Sequence, residues 1–425
     1  MMNRMPKRLL WGVLPVVVVG GALAVGGVPG SPAAEADAGR LERLGGTLAS
    51  YVEEGELAGA VTLIAHEGEV AYLEAVGHRD VAAGDPMEAD DIFRIASQTK
   101  AIVSVGVMIL QEEGDLLISD PLGRYLPEYM ETTVAIADGA GGYEIVPANR
   151  PITIRDLLTH TAGIGYGGGP GAELWAEAGI QGWYFAHRDE PIRETVRRMA
   201  ALPMDAQPGE RFVYGYSTDI LGALVEQVSG EPLDDFLRSR IFEPLGMVDT
   251  HFYLPEEKRD RLSVVYSAGE GGLVPAPDPG GMVGQGAYVD GPRTSFSGGA
   301  GLLSTAHDYA RFLQMMLNGG ELDAARVLSS KSVDLMTVNH VGGRFNWDGG
   351  VGFGLGFSVL ADLGARGTPG SVGEYGWGGA YHSTYWVDPA EDLVVVYFTQ
   401  LIPTDGVDDH AKLRTLVYQA LDEMQ

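Results

Sequence analysis

A serine and a lysine three residues apart stand at the start of a strongly apolar stretch. Ser97 and Lys100 are followed at residues 101–110 by the run AIVSVGVMIL, and Gly114 ends the pattern. At this spacing the two side chains share one face of a helix, and a helix that is apolar all round belongs in the interior. Burying a lysine amine is costly unless it is paired, and burial in general lowers its pKa. The pattern predicts a serine nucleophile activated by an amine; the structural alternative is a Ser-capped helix whose Lys100 reaches solvent.

Two further stretches carry side chains suited to a site. Tyr214 and Tyr216 fall on a turn just before a predicted helix at residues 220–228. A phenol beside an ammonium group can share its proton, which suits acid–base catalysis. The segment YGWGGAY at residues 375–381 precedes the last predicted strands. Its paired glycines would let a substrate approach the backbone closely.

The composition is that of a globular protein and limits its partners. The chain has 425 residues, 45% hydrophobic and 20% charged, which is enough for a sizeable core. A formal net charge of −29 argues against nucleic acid and anionic membrane surfaces as partners. The chain has no cysteine, which excludes disulfides and Cys-ligated zinc, and its nine histidines show no metal-ligand spacing. We therefore expect no cofactor and no metal.

The N-terminus has the pattern of a secretory signal peptide. Arg4, Lys7 and Arg8 precede an apolar run at residues 9–25, and small residues follow. We expect a signal peptide at residues 1–33 and export to the periplasm or the medium. A retained segment would instead anchor the chain in a membrane.

The remaining pattern predicts one catalytic unit at residues 34–425. Strand patterns occur near both ends, at residues 59–65 with 69–76 and at 385–389 with 393–398. Helical patterns dominate the middle, at 190–202, 220–228 and 233–241, with a further helix at 306–318 and a last one at 408–424. Residues 165–181 and 265–295 are rich in glycine or proline and are predicted as loops. This order indicates an α+β fold: a sheet subdomain at about 36–95 and 295–425, with a helical insert at about 96–294.

With these motifs in hand, the chain resembles the serine β-lactamase superfamily, in particular class C β-lactamases and family VIII carboxylesterases. Ser-x-x-Lys is a signature of that superfamily. The resemblance runs from about residue 40 to the C-terminus and includes LLTHTAG at 157–163, SGGAGLLST at 297–305 and VDP at 387–389. It implies a β-lactamase/transpeptidase-like fold, in which an antiparallel sheet flanked by helices packs on a mostly helical domain.

The resemblance also implies roles for individual residues. Ser97 would be the acylated nucleophile and Lys100 would help to deprotonate it. Tyr214 matches the tyrosine of the Tyr-x-Asn motif, but Tyr216 stands where the motif has asparagine, so Tyr216 is a second candidate for that tyrosine and for substrate contact. The oxyanion hole would use the backbone N–H groups of Ser97 and Ala380.

The third family motif departs most from its pattern. Trp377, Gly378 and Gly379 occupy the place of Lys-Thr-Gly, and we expect all three to contact substrate. Tryptophan offers an apolar wall and one N–H donor in place of the cation that faces a substrate carboxylate.

The substituted motif favours a small ester, over a β-lactam or peptide, as the small-molecule substrate. The alternatives are a β-lactamase, a D-alanyl carboxypeptidase or D-aminopeptidase acting on amides, and a non-catalytic binding or scaffold relative.

Overall fold

The computed structural model describes residues 32–269, 271–345, 349–404, 406–421 and 424, with side chains from residue 39 onward. The predicted signal peptide lies outside the described residues except for its last two positions, which begin the first helix. Within the described part of the chain, no helix combines the length and apolar character needed to cross a bilayer.

The helices are spread along the whole described chain. Their bounds are α1 (Pro32–Glu53), α2 (Thr99–Glu113), α3 (Ile154–Leu158), α4 (Ala172–Glu177), α5 (Ile192–Met199), α6 (Ser217–Ser229), α7 (Leu233–Leu237), α8 (Glu243–Leu245), α9 (Ala306–Leu317), α10 (Ser330–Met336), α11 (Leu363–Arg366) and α12 (Asp409–Ala420).

The strands cluster near the two ends of the described chain, with short ribbons between them. Their bounds are β1 (Gly59–His66), β2 (Glu69–Asp80), β3 (Asp85–Pro86), β4 (Phe93–Arg94), β5 (Thr133–Ala137), β6 (Tyr143–Pro147), β7 (Tyr266–Gly269), β8 (Gly272–Pro275), β9 (Leu303–Ser304), β10 (Glu321–Leu322), β11 (Ala325–Arg326), β12 (Val351–Phe353), β13 (Ser358–Leu360), β14 (Tyr375–Gly379), β15 (Ser383–Asp388) and β16 (Leu393–Thr399).

Eight of the described strands form one antiparallel sheet with the order β12-β13-β14-β15-β16-β1-β2-β3. The strands of this sheet come from residues 59–86 and 351–399, so the pairing of β1 with β16 joins the two ends of the chain. β1 and β16 are buried along their whole length. A strand covered on both faces reads as a continuous apolar run, which explains the valine-rich sequence of β16.

Helices cover the two faces of this sheet. Side chains alternate along β16: Val395 and Tyr397 pack with α1 and α12 on one face, whereas Val394 and Val396 join the large core on the other. The period of two residues is that of a pleated strand. That large core also contains α2, α6 and α9, so the helical layer lies against the face of the sheet that borders Ser97.

The apolar helix predicted after Ser97 is α2, which is buried from Thr99 to Leu110 and ends at Gly114 in the left-handed conformation. The prediction that residues 165–181 and 265–295 are loops without secondary structure was partly wrong. Residues 165–181 contain the short helix α4, and residues 265–295 contain the hairpin of β7 and β8. Both elements have only four to six residues, and elements this short carry little periodic signal.

Candidate active site

The nucleophile candidate lies on a 3₁₀ turn that leads into α2. Ile95 donates its N–H to the carbonyl of Leu302 at 3.1 Å, and β4 pairs with β9 next to it. Two motifs that are distant in sequence, at 93–100 and 297–305, are therefore held side by side. Ala96 has a φ of 42° although it carries a Cβ. Such a conformation is costly and is maintained only where the surroundings impose it.

Lys100 is buried with every N–H of its ammonium group directed to an acceptor. Its side chain is 2% exposed. Nζ donates to Ser97 Oγ at 3.1 Å, to the carbonyl of Gly299 at 2.6 Å and to Tyr166 OH at 3.2 Å. Three acceptors match the three donors of a lysine. The alternative in which Lys100 reaches solvent is therefore wrong.

Asp219 on α6 fixes the carbonyl that Lys100 contacts. Its Oδ1 accepts from Ser297 Oγ at 2.6 Å and from the backbone N–H of Gly299 at 3.0 Å. Burial raises the pKa of Asp219, which is 1% exposed. A Cβ at Gly299 would lie 2.4 Å from Asp219 Oδ2, so only glycine allows this approach. Sequence reasoning missed Asp219, because one acidic residue at the start of a helix also fits an ordinary first-turn position.

Tyr214 lies beside the amine. The ring centroid of Tyr214 is 4.6 Å from Lys100 Nζ. Its hydroxyl oxygen accepts a hydrogen bond from Trp377 Nε1 at 3.0 Å. An indole N–H can only donate, so the Tyr214 oxygen is the acceptor in this contact.

Tyr166 is a second phenol at the amine, which sequence reasoning left in a glycine-rich loop. Besides accepting from Lys100, its ring lies edge-on to Tyr214, with centroids 5.8 Å apart. Burial, followed by the neighbouring Tyr214 and Asp219, raises the pKa of Tyr166 well above its usual value. Tyr166 is thus a neutral phenol at ordinary pH. One available signal was a single bulky aromatic between glycines, which marks a backbone that must approach closely on both sides.

Tyr216 does not reach the site, in contrast to its assignment as a catalytic and substrate-binding candidate. It is fully buried, its ring stacks on Trp175 at 5.6 Å, and its hydroxyl donates to the carbonyl of Gly182 at 2.8 Å. Tyr214 and Tyr216 lie on the turn just before α6, which begins at Ser217, and their side chains point in different directions. The N–H of Gly182 in turn donates to the carbonyl of Tyr166 at 3.1 Å. Tyr216 therefore supports the segments that carry Tyr166 and Trp183.

A cavity of about 420 Å³ opens above Ser97. The structure brings the predicted Trp377, Gly378, Gly379 and Ala380 to its wall, on the end of β14 and the turn after it. Trp183 completes the lining and was not predicted. The described residues that line the cavity are uncharged: Ser97, Tyr166, Trp183, Tyr214, Trp377, Gly378, Gly379 and Ala380.

β14 is pressed against the segment that leads to the nucleophile. A Cβ at Gly379 would lie 2.5 Å from the carbonyl oxygen of Ile95. The glycine pair thus allows the sheet edge to approach the 3₁₀ turn of Ser97. This close approach places Ala380, the predicted second oxyanion donor, on the same cavity as Ser97.

Comparison with known proteins identifies the family. The Beta-lactamase family profile matches residues 44–419, and the chain belongs to this family. Esterase EstB from Burkholderia gladioli is 35% identical over 370 residues, covering 84% of this chain and 89% of EstB. Lovastatin esterase from Penicillium rubens is 30% identical over 401 residues, covering 85% of this chain and 93% of the esterase.

A solved structure agrees with this assignment. EstCE1, a hydrolase with promiscuous acyltransferase activity, aligns with a TM-score of 0.78 at 29% identity, covering 90% of this chain and all of EstCE1. The predicted β-lactamase/transpeptidase-like α+β fold is confirmed. The chain is a serine hydrolase of this fold with esterases among its relatives.

Proposed function

We propose that this protein is a carboxylesterase that hydrolyses small, uncharged esters through an acyl-enzyme at Ser97. The observation that carries the proposal is the buried ammonium group of Lys100, which contacts Ser97 Oγ, Tyr166 OH and the ring of Tyr214. All three of these residues line a cavity with uncharged walls. The esterase names of EstB and lovastatin esterase support it.

The proposed reaction has two halves. Ser97 Oγ attacks the ester carbonyl carbon while its proton passes to the Lys100–Tyr214 pair, and the oxyanion forms next to the backbone N–H groups of Ser97 and Ala380. The C–O bond to the alcohol then breaks, and the alcohol leaves with that proton. Water next attacks the acyl-Ser97 carbonyl, and the acid departs as Ser97 regains a proton.

Tyr214 is the proposed base and Tyr166 the neutral partner. The oxygen of Tyr214 accepts a hydrogen bond from Trp377, and its ring centroid lies 4.6 Å from Lys100 Nζ. Tyr166 has its pKa raised by burial and remains protonated. The two phenols also face the ammonium group of Lys100 differently, Tyr166 through its oxygen and Tyr214 through its ring, and we assign them different roles on that basis.

The wall at Trp377 favours esters over β-lactams and D-peptides. In the serine β-lactamase superfamily, which the sequence resembles, the cation of the Lys-Thr-Gly motif faces a substrate carboxylate at this position. Here an indole occupies the wall, and its N–H is bonded to Tyr214.

Two measurements test the proposal. A fluorophosphonate should label the purified protein at Ser97, and Ser97→Ala should abolish both labelling and ester hydrolysis. Short-chain p-nitrophenyl esters should turn over faster than nitrocefin or a D-alanyl dipeptide. Label on another residue would mean a different nucleophile, and preferred turnover of nitrocefin would make the protein a β-lactamase.

Acyl transfer to an alcohol is a second activity that the cavity favours. About 420 Å³ exceeds what a short acyl group fills, so an acceptor alcohol has room beside acyl-Ser97. The similarity to EstCE1, a hydrolase with promiscuous acyltransferase activity, supports this second activity. Adding a primary alcohol to the ester assay should produce the transesterified product in competition with the acid.

Export remains a prediction from residues 1–33. Fractionation of the native host, with detection of the processed N-terminus by mass spectrometry, tests it.

A further inference from the structure

The turn between β14 and β15 carries a buried histidine in a conformation that histidine rarely adopts. His382 has a φ of 66° and its side chain is 8% exposed. Its N–H donates to the carbonyl of Gly379 at 3.1 Å, which closes the turn around Ala380. Glycine would adopt this backbone without steric cost. An imidazole at such a position must be held there by its contacts.

Those contacts tie the turn to the start of α12. His382 Nε2 lies 2.7 Å from Asp409 Oδ1, so this nitrogen donates. Tyr397 OH, from the central strand β16, donates to Asp409 Oδ2 at 2.7 Å. Asp409 is itself fully buried at the first position of α12, where the helix dipole favours a negative charge. Burial opposes ionisation of Asp409, but the hydrogen bond from His382 leaves its pKa below the usual value.

His410 closes the same network from the next position of α12. Its Nε2 donates to the backbone carbonyl of His382 at 3.1 Å. The two imidazole rings stack with centroids 4.1 Å apart and an angle of 12° between their planes. The turn is therefore held through both the side chain and the carbonyl of His382.

The groups in this network are of the types that bind zinc, but their arrangement does not suit a metal. His382, Asp409 and His410 each bring one ligand atom within 4.8 Å of the others. A zinc ligand places the metal close to the plane of its imidazole ring, about 2.0–2.1 Å from the nitrogen. Two nearly parallel stacked rings have no common point that satisfies both conditions. The network is accordingly a hydrogen-bonded clamp.

We infer that His382 is a positioning residue for the oxyanion hole. Through Asp409 it anchors the turn after Ala380, while the contact of Gly379 with Ile95 holds the residue before Ala380. This inference rests on the proposed function, in which the backbone N–H of Ala380 stabilises the oxyanion. The clamp acts on the transition state and leaves the walls that bind the ground-state ester in place.

The test compares variants of His382 in the full chain. His382→Gly removes the imidazole and suits the backbone, whereas His382→Gln can donate an N–H to Asp409 from a similar reach. We expect His382→Gly to lower kcat on a p-nitrophenyl ester about 100-fold, the effect of misplacing a catalytic group by about 1 Å, with KM within about twofold. His382→Gln should recover most of kcat. Affinity for a trifluoromethyl ketone, which forms a tetrahedral adduct, should fall in step with kcat/KM.

Asp392→Gly is the matched control. Asp392 also has a positive φ, 50°, on the exposed turn between β15 and β16 at the other end of β15. Replacing it relieves the same kind of backbone strain without touching the clamp, and kcat should stay at the wild-type value.

Three results would overturn the inference. They are an unchanged kcat in His382→Gly, a loss expressed only in KM, and a failure of His382→Gln to restore kcat. If His382→Gly does not fold, Asp409→Asn takes its place and must show the same selective loss of kcat. Failure of the proposed function itself is seen separately, as ester hydrolysis that persists in Ser97→Ala.

Discussion

The sharpest test of the site is Tyr214→Phe. This change removes the oxygen that accepts from Trp377 Nε1 at 3.0 Å and keeps the ring that lies 4.6 Å from Lys100 Nζ. If Tyr214 is the base, kcat/KM for a short-chain p-nitrophenyl ester should fall by about 10²–10⁴. That loss corresponds to about 2.7–5.4 kcal/mol of transition-state stabilisation.

The folded state should change far less than the rate. The variant loses the half-buried hydrogen bond from Trp377 Nε1, which is worth about 1 kcal/mol. Urea unfolding should therefore give a free energy of unfolding within about 1–2 kcal/mol of the wild type. A rate loss that exceeds this stability loss separates a chemical role from a structural one.

Tyr166→Phe is the matched comparison at the same amine. It removes one of three acceptors of Lys100 and leaves Ser97 Oγ and the Gly299 carbonyl in place. We expect a loss of about tenfold in kcat/KM, comparable to the loss of one hydrogen bond to a charged group. A larger loss in Tyr166→Phe than in Tyr214→Phe would refute the assignment of the base and transfer that role to Tyr166.

Two further variants test the supports of the site. Asp219→Asn keeps the shape at the Gly299 carbonyl but removes the charge near Lys100; we expect kcat to fall about tenfold at constant KM, together with a loss of about 1–2 kcal/mol in urea unfolding. An unchanged kcat would show that the carbonyl is held without Asp219. Tyr216→Phe leaves the half-buried carbonyl of Gly182 without its donor, so the free energy of unfolding should fall by about 0.5–1.5 kcal/mol and KM should rise more than kcat falls. A loss confined to kcat would instead indicate that Tyr216 takes part in catalysis.

The fold and the contact between Ser97 and Lys100 were predictable because their signals are local. The strand pairs at 59–76 and 385–398 are short runs rich in apolar and β-branched residues, and each pair is joined by a short turn. The helix after Ser97 is apolar on all faces. These local patterns predict α2 and the two hairpins of the sheet. The Ser-x-x-Lys spacing similarly puts Ser97 and Lys100 on one face, and the structure places their side chains 3.1 Å apart.

The missed residues were those whose role depends on contacts between distant segments. Tyr166 reaches Lys100 across 66 positions, and Asp219 reaches Gly299 across 80. Neither pair has a periodic signature, because tertiary packing alone brings them together. The choice between Tyr214 and Tyr216 also depended on the direction of a turn, which a pattern two residues wide does not determine.

The cavity is assembled from segments that are far apart in the chain. Ser97, Tyr166 and Tyr214 lie in its first 214 residues, whereas Trp377 and Ala380 lie on β14 and the turn after it. Enzyme activity therefore reports on the junction between these segments and not on either one alone. In a denaturant titration, hydrolysis should therefore be lost no later than the far-UV signal, since local opening at this junction requires no more free energy than global unfolding.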